Sequence, residues 1–311
     1  MNEQQAVNVG PSGIQVAYEL FGTATAPPVL LIMGAGAQMI GWPEGFCAEL
    51  AGRGARVIRF DNRDSGHSTH FADAPPPDLP AALAGDFSTV PYTLSDMAAD
   101  TAGLLDALGV DSAHIVGASL GGMIAQVMAI EHPGRVRSLT SMMSTTGAPG
   151  VGQARPEAFA GLGVPPDDRA AFIDWQVRAF RAVGSPGFAF DEAAAADRAG
   201  RSWDRDRDRL GITRQAAAAV ASGDRTAGLR SLRVPALVIH GTADVIFDVS
   251  GGRATAAAIP GAELMVIDGL GHSLPRAVWP GVAARIMSLA RRADAAGPVA
   301  RGGGRRPGGS A

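Results

Sequence analysis

Short β-branched runs alternate along this chain with segments of helical length. PVLLIMG (28–34), ARVIRFD (55–61), AHIVGAS (113–119), VRSLTSMM (136–143), PALVIHG (235–241) and ELMVID (263–268) are continuous apolar stretches bounded by Gly, Pro or Asp. A run with no polar face suits a strand covered on both sides, as in a parallel sheet. Between them, Pro43–Gly52, Leu94–Leu108, Gly122–Glu131 and Gly252–Ile259 have the length and composition of helices, and Arg276–Arg292 follows the last strand. The Glu131-His132-Pro133-Gly134 stretch supplies a helix stop followed by a breaker. IQVAYELFG (14–22) alternates apolar and polar residues, which predicts an antiparallel edge strand at the start. Strand and helix in turn predict right-handed crossovers and a doubly wound, mostly parallel α/β sheet.

Residues 146–230 break this rhythm. They contain no strand-like run, and Ala-rich stretches are separated by GLGVPPDD and GSPG. Seven of the chain's 17 aromatic residues (Phe159, Phe172, Trp175, Phe180, Phe188, Phe190 and Trp203) fall here, enough for an all-helical insertion with its own apolar face. The expected organisation is a core of 1–145 and 231–293, a helical cap or lid of 146–230, and a Gly/Arg-rich disordered tail of 294–311. The alternating run Asp204-Arg205-Asp206-Arg207-Asp208-Arg209 sums to zero charge and reads as a solvated helix face.

Composition narrows the chemistry. All 27 basic residues are Arg, so a pyridoxal Schiff base, a Walker-A lysine and a Ser–Lys dyad are excluded. A single cysteine, Cys47, excludes an internal disulfide and any multi-cysteine zinc site. The net charge of −3 offers no basic face for nucleic acid. MNEQQAVNVG lacks a basic n-region, and Ile115–Ile130 is shorter than the ~20 residues of a membrane helix. A soluble cytoplasmic protein is expected, with no membrane partner.

Gly117-Ala118-Ser119-Leu120-Gly121 lies between a predicted strand and a predicted helix. A G-x-S-x-G turn in that context lifts the serine hydroxyl above the sheet, although a plain Gly-rich turn with Ser119 as a cap would look similar. Such a serine needs a base. Of six histidines, His114, His132 and His240 sit at predicted element ends, and His67 and His70 in an earlier loop. His272, in Gly269-Leu270-Gly271-His272-Ser273, follows the last predicted strand at the edge where catalytic groups collect. The base needs an orienting acid. SMMSTTGAPG (141–150) offers none, whereas Asp244 follows PALVIHG, with Asp248 in reserve; Asp268 reads as a turn cap.

The order Ser119, Asp244, His272 resembles the α/β-hydrolase superfamily, over roughly residues 12–293. Met33-Gly34-Ala35-Gly36, followed by Gly41-Trp42-Pro43, resembles the family's oxyanion loop, with Met33 where most relatives have His. Asp61-Asn62-Arg63-Asp64-Ser65-Gly66-His67-Ser68 is similar to the family's D-x-R-G-x-G-x-S loop, with Asp64 replacing the usual glycine. IMGAGAQMIGWP together with RFDNRDSGHST is similar to bacterial esterases, including aclacinomycin-type methylesterases. The resemblance implies oxyanion donors at the Ala35 and Leu120 backbone N–H groups, substrate contacts at Gly36 and Trp42, and no metal or organic cofactor. The partner it implies is a hydrophobic small-molecule ester, a methyl ester or lactone being within range. Three rivals share much of the pattern. A nicotinamide oxidoreductase would use Gly34-Ala35-Gly36 and Asp61, but Met39 stands at its third glycine. A ligand receptor on the same fold would use the pocket without turnover, and a cofactor-free haloperoxidase or C–C bond hydrolase would keep the triad.

Overall fold

The computed structural model of the chain describes residues 3–155 and 160–296. Among these residues eight strands form one sheet: β1 (Gln4–Val9), β2 (Ile14–Phe21), β3 (Pro28–Ile32), β4 (Arg56–Phe60), β5 (Ala113–Ala118), β6 (Val136–Met142), β7 (Ala236–Gly241) and β8 (Glu263–Ile267). Their spatial order is β1-β2-β4-β3-β5-β6-β7-β8. From β4 through β8 every pairing is parallel, and β1 and β2 are antiparallel to their neighbours. All six runs predicted as buried strands are strands, but the last, β8, is not covered on both sides: it lies at the sheet's edge and Leu264 and Val266 are exposed. The 14–22 strand is antiparallel as expected but does not form the edge, because β1 lies outside it. β1 (QQAVNV) escaped the pattern because most of its side chains face solvent and carry no apolar period.

The helices are α1 (Glu44–Gly52), α2 (Leu79–Leu83), α3 (Leu94–Ala107), α4 (Leu120–Glu131), α5 (Arg169–Ala182), α6 (Glu192–Arg205), α7 (Gly211–Ala221), α8 (Thr226–Arg230), α9 (Val249–Ala258) and α10 (Trp279–Ala295). The inner strands are covered on both faces, as β3 shows, because successive side chains point to opposite sides of the sheet. In β3, Leu30 and Ile32 join the cluster containing Met97 and Leu104 of α3 and Ile124 of α4. Val29 and Leu31 join the opposite cluster, with Phe46 and Leu50 of α1 and Ile286 of α10. Thr93 and Asp96 cap α3 reciprocally, which fixes where that helix begins.

Between β6 and β7 the described residues hold only helices, α5 to α8. Phe172 of α5 packs against Trp203 of α6 and against Trp175, with centroids 5.0 and 6.0 Å apart. Much of this segment's aromatic content therefore joins α5 to α6. Phe159 lies outside the described residues. α10 runs to Ala295, two residues into the expected tail, and the tail from 297 onward also lies outside them. No helix among the described residues is long and apolar enough to cross a membrane.

Candidate active site

Ser119 stands between β5 and α4 with φ 57° and ψ −122°, a conformation that costs a non-glycine residue about 1–3 kcal/mol. The turn is tight enough to demand its glycines. A Cβ on Gly117 would lie 2.0 Å from the Gly121 carbonyl oxygen, and one on Gly121 would lie 2.1 Å from that of Ile32. The Ser119 N–H donates to the Met142 carbonyl (2.9 Å), tying the turn to β6. Ser119 makes no side-chain cap to α4, so the plain helix-cap alternative does not hold.

Asp244 lies in the loop after β7, 1% exposed. Its Oδ1 accepts the N–H groups of Ile246 (2.9 Å) and Phe247 (3.0 Å), so the loop turns around the carboxylate. Both oxygens face His272 Nδ1, at 3.0 Å for Oδ1 and 2.8 Å for Oδ2. The ring is thereby oriented with Nε2 directed away from Asp244. The Phe247 ring meets the imidazole edge-on, 5.9 Å between centroids. The His272 N–H donates to the Val183 carbonyl (2.8 Å), and Ser185 Oγ accepts from Gly271 N–H (2.9 Å), so the α5–α6 connection holds the His272 loop. Asp248 has a different place. It caps α9 through Ser250 N–H (2.8 Å) and accepts from Gln153 N–H (3.1 Å). Asp268 accepts from the Thr242 hydroxyl (2.9 Å), a turn contact as expected.

Asp244 and His272 are thus brought together in direct contact. Ser119 shares the carboxyl edge of the sheet with them, but no hydrogen bond joins its hydroxyl to His272 among the described residues. Hydrogen bonds of this kind are often long before substrate binds.

The Met33–Ala37 turn runs beside Ser119: a Cβ on Gly34 would lie 2.9 Å from Ser119 Cβ. Asn62 Nδ2 donates to the Met33 carbonyl (3.0 Å), and Ala37 N–H closes the turn on the Gly34 carbonyl (3.2 Å). Neither the Ala35 nor the Leu120 N–H has an acceptor among the described residues. Leu120 is also the first residue of α4, where the helix dipole favours negative charge. Of the two expected substrate contacts, Gly36 is exposed with its amide already paired, and Trp42 is buried. The Gly36 N–H donates to Gln215 Oε1 (2.8 Å), and a Cβ there would lie 2.7 Å from Ile212, so the Gly36 amide is engaged by α7 although the residue itself is exposed. Trp42 is 1% exposed and stacks on Phe46 (5.7 Å) within the core, because the short turn at Met39–Gly41 directs it inward.

Asp61 is fully buried and accepts Met39 N–H (2.6 Å) and His67 N–H (3.0 Å), while Arg205 pairs with it from α6. A ribose-binding role is closed to it. Nor does the alternating run at 204–209 form a solvated helix face. α6 ends at Arg205, Asp206 accepts from Gly66 N–H (2.9 Å), and Asp208 pairs with His70 (3.0 Å) and Arg214. The run instead fastens the inserted segment to the loop after β4. Asp64, His70 and Asp208 bring possible metal-ligand atoms within 4.8 Å of one another, but Asp64 and Asp208 both accept from Arg214, whose guanidinium supplies the positive charge there.

The family profile described as the alpha/beta hydrolase fold matches residues 27–275. The chain belongs to that family. It is 29% identical over 302 residues to the rhodomycin D methylesterases of Streptomyces sp. (strain C5) and Streptomyces peucetius, covering 88% of this chain and 94% of each relative. Among solved structures, the esterase RhEst1 from Rhodococcus sp. ECU1013 superposes with a TM-score of 0.71 at 26% identity, covering 93% of this chain and all of that one. A hydrolase from Pseudomonas aeruginosa PA01 superposes with a TM-score of 0.69 at 27% identity, covering 93% and 98%.

Proposed function

We propose that this protein is a carboxylic-ester hydrolase working through an acyl-enzyme. Ser119 attacks the ester carbonyl while His272 Nε2 takes its proton and then delivers it to the leaving alkoxide. Asp244, buried and facing His272 Nδ1 with both oxygens, fixes the imidazole tautomer and stabilises the cation that forms. The Ala35 and Leu120 N–H groups receive the oxyanion, with the N-terminus of α4 adding to their field. Water then attacks the acyl-enzyme with His272 again as base.

The observation that carries this reading is the pairing of a strained serine elbow with an Asp–His couple at one edge of the sheet. The chemistry needs no metal or organic cofactor. The substrate is a hydrophobic small-molecule ester, and a methyl ester is the first choice because the rhodomycin D methylesterases match along most of both chains. Residues 146–230 act as the cap over the site, and the protein works in the cytoplasm.

The test is release of p-nitrophenol from p-nitrophenyl acetate, followed by a panel of methyl, aryl and lactone esters. Activity that disappears in Ser119→Ala supports the reading. No turnover of any ester by folded protein would favour a binding protein and defeat it.

A further inference from the structure

We infer that Gln215 is a positioning residue for ester hydrolysis, holding the Gly34–Ala37 turn so that the Ala35 N–H, and not that of Gly36, meets the oxyanion beside Ser119. The inference rests on the hydrolase reading above. Gln215 lies on α7 and is wholly buried. Its Oε1 accepts the Gly36 N–H (2.8 Å) and its Nε2 donates to the Arg63 carbonyl (2.7 Å). Only a side chain with both an acceptor and a donor can bridge those two backbone groups, and a neutral amide does so without burying a charge.

The polar groups around this turn are engaged one by one. Met33 O takes Asn62, Gly34 O takes Ala37 N–H, Gly36 N–H goes to Gln215, and Ala37 O takes the Ser65 hydroxyl (3.1 Å). Ala35 N–H is left pointing to no acceptor among the described residues. Gln215 thereby decides which amide of the loop serves the reaction.

The helix that carries Gln215 is itself anchored. Its neighbour Arg214 makes a two-pronged ion pair with Asp64, at 2.9 and 2.8 Å, with both side chains at most 1% exposed. Asp64 adopts φ 61° and also accepts from the Tyr92 hydroxyl (2.7 Å) and Phe71 N–H (2.7 Å). This is the position where the sequence departs from the family's glycine, and the departure supplies the anchor for α7. Ile212, one turn earlier, presses on Gly36.

A donor already in place costs nothing to reorganise as charge develops. Without Gln215 the turn can rotate, and the loss falls on the transition state rather than on substrate binding. The experiment uses the full-length protein with p-nitrophenyl butyrate, active sites counted by fluorophosphonate labelling, and a trifluoromethyl ketone as an inhibitor that forms an oxyanion on the serine. Gln215→Met should lower kcat per labelled site by about 10- to 100-fold with KM within about threefold, and weaken the ketone in the same proportion. Gln215→Glu keeps an acceptor for Gly36 and loses the donor toward Arg63, so it should fall between Met and wild type; if the Met variant does not fold, it decides by the same measures.

Wild-type kcat per site, or a kcat loss with unchanged ketone affinity, would overturn the inference. Ser119→Ala separates the two readings. If it is inactive while Gln215→Met is fully active, only the role of Gln215 falls. If Ser119→Ala keeps full activity, the hydrolase reading falls and takes this inference with it.

Discussion

Asp244 and Asp64 occupy comparable places, each in the loop after a parallel strand and each with a fully buried side chain. Their partners differ. Asp244 faces the His272 imidazole, whose second nitrogen is left free to accept a proton, from a loop that follows the neighbouring strand β8. Asp64 faces a guanidinium that stays charged, from a helix inserted 150 residues away in sequence. The first pair is suited to chemistry and the second to holding two parts of the molecule in register. A buried carboxylate at the same edge of a sheet is therefore suited to turnover or to assembly according to whether its partner can exchange a proton.

The largest effects should come from the proposed nucleophile and base. Ser119→Ala and His272→Ala should each lower kcat/KM by about 10⁴-fold or more, with the double variant scarcely worse, since the two act as a unit. Steady-state assays with active-site counting measure this. Calorimetry of Ser119→Gly should show the same inactivity with a higher Tm, because glycine relieves the positive φ.

Asp244→Asn tests the comparison directly. The amide can favour the wrong imidazole tautomer, so kcat should fall by about 10⁴-fold with the fold retained. Asp64→Asn should act mainly on stability, costing about 3 kcal/mol by removing the fully buried partner of Arg214 while Asp208 stays beside it. A severe kcat loss from Asp64→Asn with an unchanged Tm would dissolve the distinction between the two aspartates.

Asp248→Asn should leave kcat near wild type and cost at most about 1 kcal/mol, as expected of a helix cap exchanged for another capping residue. A crippled Asp248 variant beside an active Asp244 variant would reassign the acid.

The smallest effect concerns pH and the fastening around Asp208. Burial pulls the His70 imidazole down, but the Gly66 carbonyl and the Asp208 and Asp206 carboxylates outweigh it and hold its pKa above the ordinary value. A proton bound more tightly in the folded chain stabilises the fold fully below about pH 6.5, and that stabilisation is lost as pH rises through the raised value. His70→Gln should lower Tm by about 2 °C at pH 5.5 and by less at pH 8.5. An equal shift at both pH values would show that the charge on His70 adds nothing to the contact.

Much of the sheet could be read from the chain. Leu30 and Ile32 face one helix layer and Val29 and Leu31 the other, so β3 needed an unbroken apolar run, and such a run stands out in sequence. The elbow was legible for a similar reason: the backbones approach too closely for any side chain at Gly117 or Gly121, and the chain spells out that restriction. β1 was not legible, because a strand held by backbone hydrogen bonds with its side chains in solvent leaves no apolar period.

The G-x-S-x-G motif, places after predicted strands and chain order named Ser119, Asp244 and His272, and the fold put Asp244 and His272 in contact. What the sequence could not show was the use of its charges. Asp204 to Arg209 reads as a neutral solvated run, yet Arg205, Asp206 and Asp208 each find a partner in Glu3, Asp61, Gly66, His70 or Arg214. Asp64 was visible as an oddity, but neither Arg214 nor Gln215 carries a signal within an Ala-rich helix. Apolar burial obeys a local period, so the sequence determined the strands from β2 to β8 and where the serine turns. An ion pair or a bridging amide depends on which side chain arrives opposite, and only the tertiary structure decided that.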